Sequence, residues 1–211
     1  MKRLGILLSG RGSNFLAIAK AIGDGRLQNC EIAVVLSNLP DAGGLQAARE
    51  LGLAALAIPS AGKKRVEHDA EMVAALREHK VDLVCLAGYM RIISGVFVSA
   101  FPDAIVNIHP ALLPAFPGLD AQTQAWEYGA KVAGCTVHFV DEAVDHGPII
   151  LQRVIPVEDE DTAESLAARI LEQEHMAYAE GIARVLSGEY ELVGRRYVRK
   201  PVAERSSSVR S

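Results

Sequence analysis

The sequence predicts an α/β fold: Rossmann-like, with a mostly parallel twisted sheet of about seven strands, helices on both faces and a long C-terminal helix. Three observations carry this expectation. Short apolar, β-rich runs alternate with helix-like segments. The first five runs are continuously apolar, as strands buried on both faces are. The chain has 211 residues, half of them hydrophobic, which suffices for one large domain with its own core.

The first strand is expected at Leu4–Ser9. The segment MKRLGILLSG has two basic residues and a short apolar stretch, but Arg11 and Asn14 follow where a signal peptide would carry small residues for cleavage. Helix-like Phe15–Ile22 leads to a strand at Ile32–Asn38, and Leu45–Leu51 leads to one at Ala55–Ile58. Lys64–His79 is the next helix, before strand Leu83–Ala87. Gly95–Phe101 then precedes strand Ile105–Ile108. This alternation implies βαβ crossovers and parallel pairing. After helix Ala121–Tyr128 the pattern changes. In Val132–Phe139, residues Val132, Thr136 and His138 fall on one face and Cys135, Val137 and Phe139 on the other, so a hairpin with Ile149–Val157 is expected. The last helix runs from about Thr162 to Leu186. Asp161 with Glu164 resembles a capping box, and Gly188 is a natural stop.

Residues 1–194 are expected to form a single domain and residues 195–211 a basic, serine-rich, frayed tail. That tail holds six basic residues and one acidic, so +5; with −4 on the whole chain, the body carries −9. An acidic body argues against nucleic acid as the partner. No apolar run approaches the roughly 18 residues of a membrane span, so no membrane partner is expected. Cys30, Cys85 and Cys135 are odd in number and far apart, which suits buried thiols in a reducing cytoplasm.

Three segments carry candidate chemistry. Ser9-Gly10-Arg11-Gly12-Ser13-Asn14 lies between a strand and a helix, where backbone N–H groups and the helix dipole converge on an anion. It matches neither the dinucleotide fingerprint nor the P-loop, so NAD and ATP lose support. A tight turn with Ser13 or Asn14 as N-cap is the alternative. Asn107-Ile108-His109-Pro110 ends the fifth strand, where ligands of open α/β sheets bind. Asn107 and His109 point to the same side of a strand, an amide donor beside an imidazole, suited to an oxyanion and a proton transfer. A structural histidine held by Pro110 is equally open. Asp141-Glu142-Ala143-Val144-Asp145-His146-Gly147-Pro148 crowds carboxylates into a turn. A carboxylate reaching His109 would stabilise its imidazolium; a solvated acidic loop is the plainer alternative. His109, His138 and His146 show no metal-ligand spacing, so no metal is expected.

Together, SGRGSN (9–14), LAGYMRI (86–92), NIHPALLPAFPG (107–118), GCTVHFVDEAVDHGPIILQ (134–152) and QEH (173–175) resemble the formyltransferases that use 10-formyltetrahydrofolate. The similarity runs from about Leu4 through Leu186. An Asn-x-His-Pro followed about 35 residues later by Asp-x-Gly-Pro marks that family, and the glycine loop points to its glycinamide-ribonucleotide branch. The resemblance implies transfer of the formyl group of 10-formyltetrahydrofolate to the amine of glycinamide ribonucleotide, in purine biosynthesis. It implies Asn107, His109 and Asp145 as the catalytic trio. Gly12, Ser13 and Asn14 would hold the ribose phosphate. Leu171, Glu172, Gln173 and Glu174 would form a second substrate segment, with Glu174 facing the amine. Arg65, Met90, Arg91, Ile92, Ile93, Asn107, Asp141, Glu142, Ala143, Val144 and Asp145 would hold the folate. Ala104, Ala111 and Asp120 depart from common members of the family.

In that reaction the amine attacks the formyl carbon, and Asn107 with protonated His109 would stabilise the tetrahedral oxyanion, each donor worth roughly 3 kcal/mol. Asp145 would keep His109 protonated and oriented. Arg65, after Lys63 and Lys64, either attracts folate carboxylates or begins a solvated helix. Met90, Ile92, Ile93 and Val96 form either a slot for the pteridine or ordinary core. The expected state is a cytoplasmic monomer or weak homodimer. Two alternatives stand: a formyltetrahydrofolate deformylase, which passes the formyl to water, and a non-catalytic phosphosugar- or folate-binding protein.

Overall fold

A computed structural model describes residues 1–201. One sheet organises the chain. Its strands are β1 (Lys2–Leu8), β2 (Cys30–Ser37), β3 (Ala55–Ala57), β4 (Leu83–Leu86), β5 (Ile105–His109), β6 (Val132–Phe139), β7 (Ile149–Pro156), β8 (Tyr190–Val193) and β9 (Arg196–Arg199). Their order is β3-β2-β1-β4-β5-β6-β7-β9-β8. The first five pair in parallel; β6 runs antiparallel to β5 and forms the expected hairpin with β7.

The helices are α1 (Ser13–Gly23), α2 (Gly43–Glu50), α3 (Arg65–Glu78), α4 (Gly95–Ala100), α5 (Ala121–Glu127) and α6 (Ala163–Ser187). They cover both faces because the strands alternate. On β1, Leu4, Ile6 and Leu8 enter a core with Phe15, Ile18, Leu45 and Tyr178, beneath α1, α2 and α6. Leu7 enters the opposite core, with Met72, Leu76 and Phe97 from α3 and α4. Helix α6 lies close against β6: a Cβ on Gly181 would stand 2.6 Å from Val137 Cγ1. The buried Tyr178 hydroxyl faces the carbonyls of Leu86 (2.9 Å) and Val106 (3.1 Å), joining α6 to β4 and β5.

Three expectations are corrected. The sheet has nine strands, not about seven. The additional pair is an antiparallel hairpin, β8–β9, closed by Gly194 and Arg195, with the glycine at φ 61. It joins the sheet where Arg196 pairs with Ile149, and Tyr197 packs edge-on to Phe139 at 5.1 Å and stacks on Tyr190 at 5.3 Å. Residues 196–200, expected to lie in a frayed tail, are therefore held by backbone pairing and aromatic contact; residues 202–211 of that tail lie outside the described residues. Finally, α6 is capped by Thr162, not Asp161. Thr162 Oγ1 accepts from the Ser165 amide at 3.2 Å, and Ser165 Oγ accepts from the Thr162 amide at 2.9 Å. Asp161 instead accepts from the Ser165 hydroxyl at 2.7 Å. Gly188 ends the helix in the left-handed region, φ 67.

Cys30, Cys85 and Cys135 are buried and free. Among the described residues no helix is long and apolar enough to cross a membrane.

Candidate active site

The strand order reverses between β1 and β4, the place where open α/β sheets bind ligands. The segments after β1, β4 and β5 meet there. Ser9 links the first two: its amide donates to the Gly88 carbonyl (3.0 Å), and its hydroxyl donates to Asn38 Oδ1 (2.6 Å) while accepting from the Met90 amide (2.9 Å).

His109 ends β5 and is 4% exposed. Its Nε2 lies 2.8 Å from the Phe116 carbonyl, and its Nδ1 lies 3.4 Å from Asp145 Oδ2. Both ring nitrogens thus face acceptors. A neutral imidazole donates from one nitrogen only, whereas an imidazolium donates from both. Asp145 reaches this position across 36 residues of chain. The β6–β7 connection leaves beside Ile105, whose carbonyl accepts from the Val140 amide at 3.0 Å. It then folds back along β5, turning through Asp145 itself at φ 49. Asp145 Oδ2 also accepts the Gly118 amide at 2.8 Å, which fixes the Pro110–Gly118 loop over the same spot.

Asn107 stands opposite His138 in the β5–β6 register. Its Nδ2 lies 3.2 Å from His138 Nε2, and His138 Nδ1 lies 2.7 Å from the Phe139 carbonyl. This network assigns the proton to Nδ1 and leaves Nε2 to accept from Asn107. Burial pushes the His138 pKa down, against smaller opposing contributions from the Phe139 carbonyl and Asp145, which suits the neutral ring this needs. An amide nitrogen carries two hydrogens, so Asn107 keeps one for a ligand. Sequence reasoning weighed His138 only as a metal ligand; its pairing with Asn107 depends on strand register, which local sequence does not display.

The glycine turn is built for close backbone approach. Gly12 occupies the N-cap position of α1 at φ 79, and a Cβ there would stand 2.9 Å from Gly44 Cα. Neither Ser13 nor Asn14 is the N-cap, and no side chain caps α1. Its first-turn amides therefore lack intrahelical partners. Asn14, buried, donates from Nδ2 to Glu174 Oε2 at 2.7 Å, while its Oδ1 has no partner among the described residues. Burial raises the Glu174 pKa, and the Asn14 bond opposes this more weakly. Of the other α6 candidates, Leu171 and Gln173 are half-buried and Glu172 is exposed.

A cleft of about 560 Å³ runs along this site. Met90, Arg91, Ile92, Asn107, His109, His138 and Asp141–Asp145 line it, with Tyr89, Leu119 and Gln122, which sequence reasoning missed. Met90 and Ile92 project into it and are 65% and 54% exposed. Neither Gly12–Asn14 nor Leu171–Glu174 lines this cleft, and three of the folate candidates lie elsewhere. Ile93 is buried in the α3–α4 core, and Val96 lines a separate groove between those helices. Arg65 is exposed at the start of α3 and does not line the cleft. Of the departures, Ala111 is buried and its carbonyl accepts from Thr136 Oγ1, Ala104 packs against the core, and Asp120 lines the cleft. Among the described residues no group of three His, Cys, Asp or Glu side chains could hold a metal ion.

The family model described as formyl transferase matches residues 2–182. The chain is 39% identical over 187 residues to the phosphoribosylglycinamide formyltransferase of Bacillus subtilis (strain 168), covering 88% of this chain and 95% of that one. It is 43% identical over 189 residues to the trifunctional purine biosynthetic protein adenosine-3 of Drosophila melanogaster, covering 89% of this chain but 14% of that protein. The chain thus spans a small part of such multifunctional relatives. Among solved structures, glycinamide ribonucleotide transformylase 1 from Symbiobacterium toebii superposes with a TM-score of 0.91 at 50% identity, covering 94% of each chain.

Proposed function

The chain belongs to the formyl transferase family, and from that premise we propose that it transfers the formyl group of 10-formyltetrahydrofolate to the amine of glycinamide ribonucleotide in purine biosynthesis. The observation that carries this is His109 held between the Phe116 carbonyl and the Asp145 carboxylate, beside Asn107, on the wall of a cleft large enough for a pterin. The turn Gly12–Asn14 takes the phosphate on the open amides of α1. Glu174 lies within reach of the same ligand through Asn14. Met90, Arg91, Ile92 and the 141–145 segment take the folate.

The amine is the nucleophile and the formyl carbon the electrophile, so bringing both into one cleft supplies the proximity term. As the carbonyl oxygen gains charge, the free Asn107 N–H stabilises it, and protonated His109 does so by turning its Nε2–H from the Phe116 carbonyl to that oxygen, each donor worth roughly 3 kcal/mol. Asp145 holds the His109 ring in orientation. When the tetrahedral intermediate collapses, the C–N bond to N10 of the folate breaks and that nitrogen takes a proton from His109 or from water, and the proton shed by the attacking amine replaces the one that His109 or the water gave up. No covalent enzyme intermediate is needed. The small-molecule partners and the absence of nucleic-acid chemistry follow from this reading, as does work in the cytoplasm.

The test is the absorbance change on tetrahydrofolate release, with 10-formyltetrahydrofolate supplied with and without glycinamide ribonucleotide. A signal requiring the acceptor is expected. An equal signal without it would mean deformylation by water, and no signal in either would leave a binding protein.

A further inference from the structure

The β8–β9 hairpin ends in Arg195, and the geometry points to Arg195 as a positioning residue for the folate-facing loop 141–146. The inference rests on the function proposed above. Arg195 Nη2 donates to the carbonyl of His146, and its Nη1 lies 3.4 Å from both ring nitrogens of His146, so the guanidinium sits against the imidazole. His146 follows Asp145 directly. Its Nδ1 in turn lies 2.9 Å from Asp141 Oδ2, which closes the base of the loop, and Asp141 Oδ1 accepts from the Ala143 amide at 3.0 Å.

Arg195 is itself held in place. Gly194 and Arg195 form the two-residue turn, Arg196 pairs with Ile149, and Tyr197 packs on Phe139. The hairpin thus carries a cation from the far edge of the sheet to the one loop that brings Asp145 to His109. A charge-assisted bond to a carbonyl restrains backbone without entering the cleft, and Arg195 is absent from the cleft lining. Loss of the restraint therefore acts on how often the loop is in place for the folate, not on the chemical step.

The experiment compares full-length Arg195→Ala, Arg195→Lys and, as control, Arg196→Ala. Amide exchange at Ala143–His146 without ligands is expected to be about tenfold faster in Arg195→Ala, with β9 amides unchanged. In the formyl-transfer assay its KM for 10-formyltetrahydrofolate should rise about fivefold, with kcat within twofold and KM for the amine acceptor unchanged. Arg195→Lys should recover most of both effects, and Arg196→Ala should match wild type. Unchanged loop exchange in Arg195→Ala overturns the inference, as does faster exchange spread equally over β9, which would make the residue merely structural. The exchange measurement needs no activity, so wild-type protein inactive in formyl transfer would sink the proposed function while the exchange comparison still decides the role of Arg195.

Discussion

Both ring nitrogens of His109 face protein acceptors, and the proposed reaction draws its Nε2–H off the Phe116 carbonyl, so loss of the ring removes a donor and a proton source together. His109→Ala should lower formyl transfer by about 10²-fold or more, with the folded signal in circular dichroism retained. Wild-type-like turnover would remove His109 from the mechanism. Glu174 gives a prediction of opposite sign for stability. Burial raises its folded-state pKa above 4.5. Between the ordinary value and the raised one the folded chain binds more protons than the unfolded chain, so stability falls as pH rises through that window. Glu174→Gln removes the cost: its melting temperature should exceed wild type's by a few degrees at pH 8 and match it at pH 4. A gap that widens toward acid would contradict this. Much of this chemistry was legible as residue types: Asn107, His109 and the carboxylate-rich turn stood out at a strand end and in a hairpin loop. What was hidden is their meeting. The reach of Asp145 and the His138 partner depend on how β6 registers against β5, and the Phe116 carbonyl on the path of the Pro110–Gly118 loop; nothing in a local window encodes these.

At the scale of elements, α6 and β6 come close at Gly181, where side-chain volume is limited by Val137. Gly181→Ala should cost about 1–3 kcal/mol through overpacking, read from urea unfolding. Val137→Ala in the same chain should return part of that, giving a coupling of at least about 0.5 kcal/mol; simple additivity would mean the helix shifts freely. The longer elements were visible in the sequence because their apolar spacing is strong, and observed boundaries differ by a residue or two. The cap of α6 was misplaced because Asp161-x-x-Glu164 and Thr162-x-x-Ser165 offer overlapping signals one residue apart. The β8–β9 hairpin was missed although Tyr-Glu-Leu-Val and Arg-Tyr-Val-Arg alternate around Gly194, a pattern that marks a two-residue turn. Its strands have four residues each, and their arginines read as a solvated basic end.

The nine strands form one continuous sheet with a core on each face, and β1 contributes to both cores. We propose that this makes residues 1–194 one cooperative domain, extended by the hairpin through β9. Calorimetry should show a single transition with an enthalpy on the order of 140 kcal/mol near 60 °C, equal to the van't Hoff value. Two resolved transitions would divide the domain. The same continuity gives the Ser9 hydroxyl a wider importance. It is shared between the glycine turn, Asn38 and the strand end that opens onto Met90. Anyone transplanting the turn after β1 from a distant cousin into this scaffold must therefore move Ser9, its acceptor and the Met90 backbone as a set, because the glycine turn and the Met90 wall of the cleft are stitched by one oxygen and will not swap piecemeal.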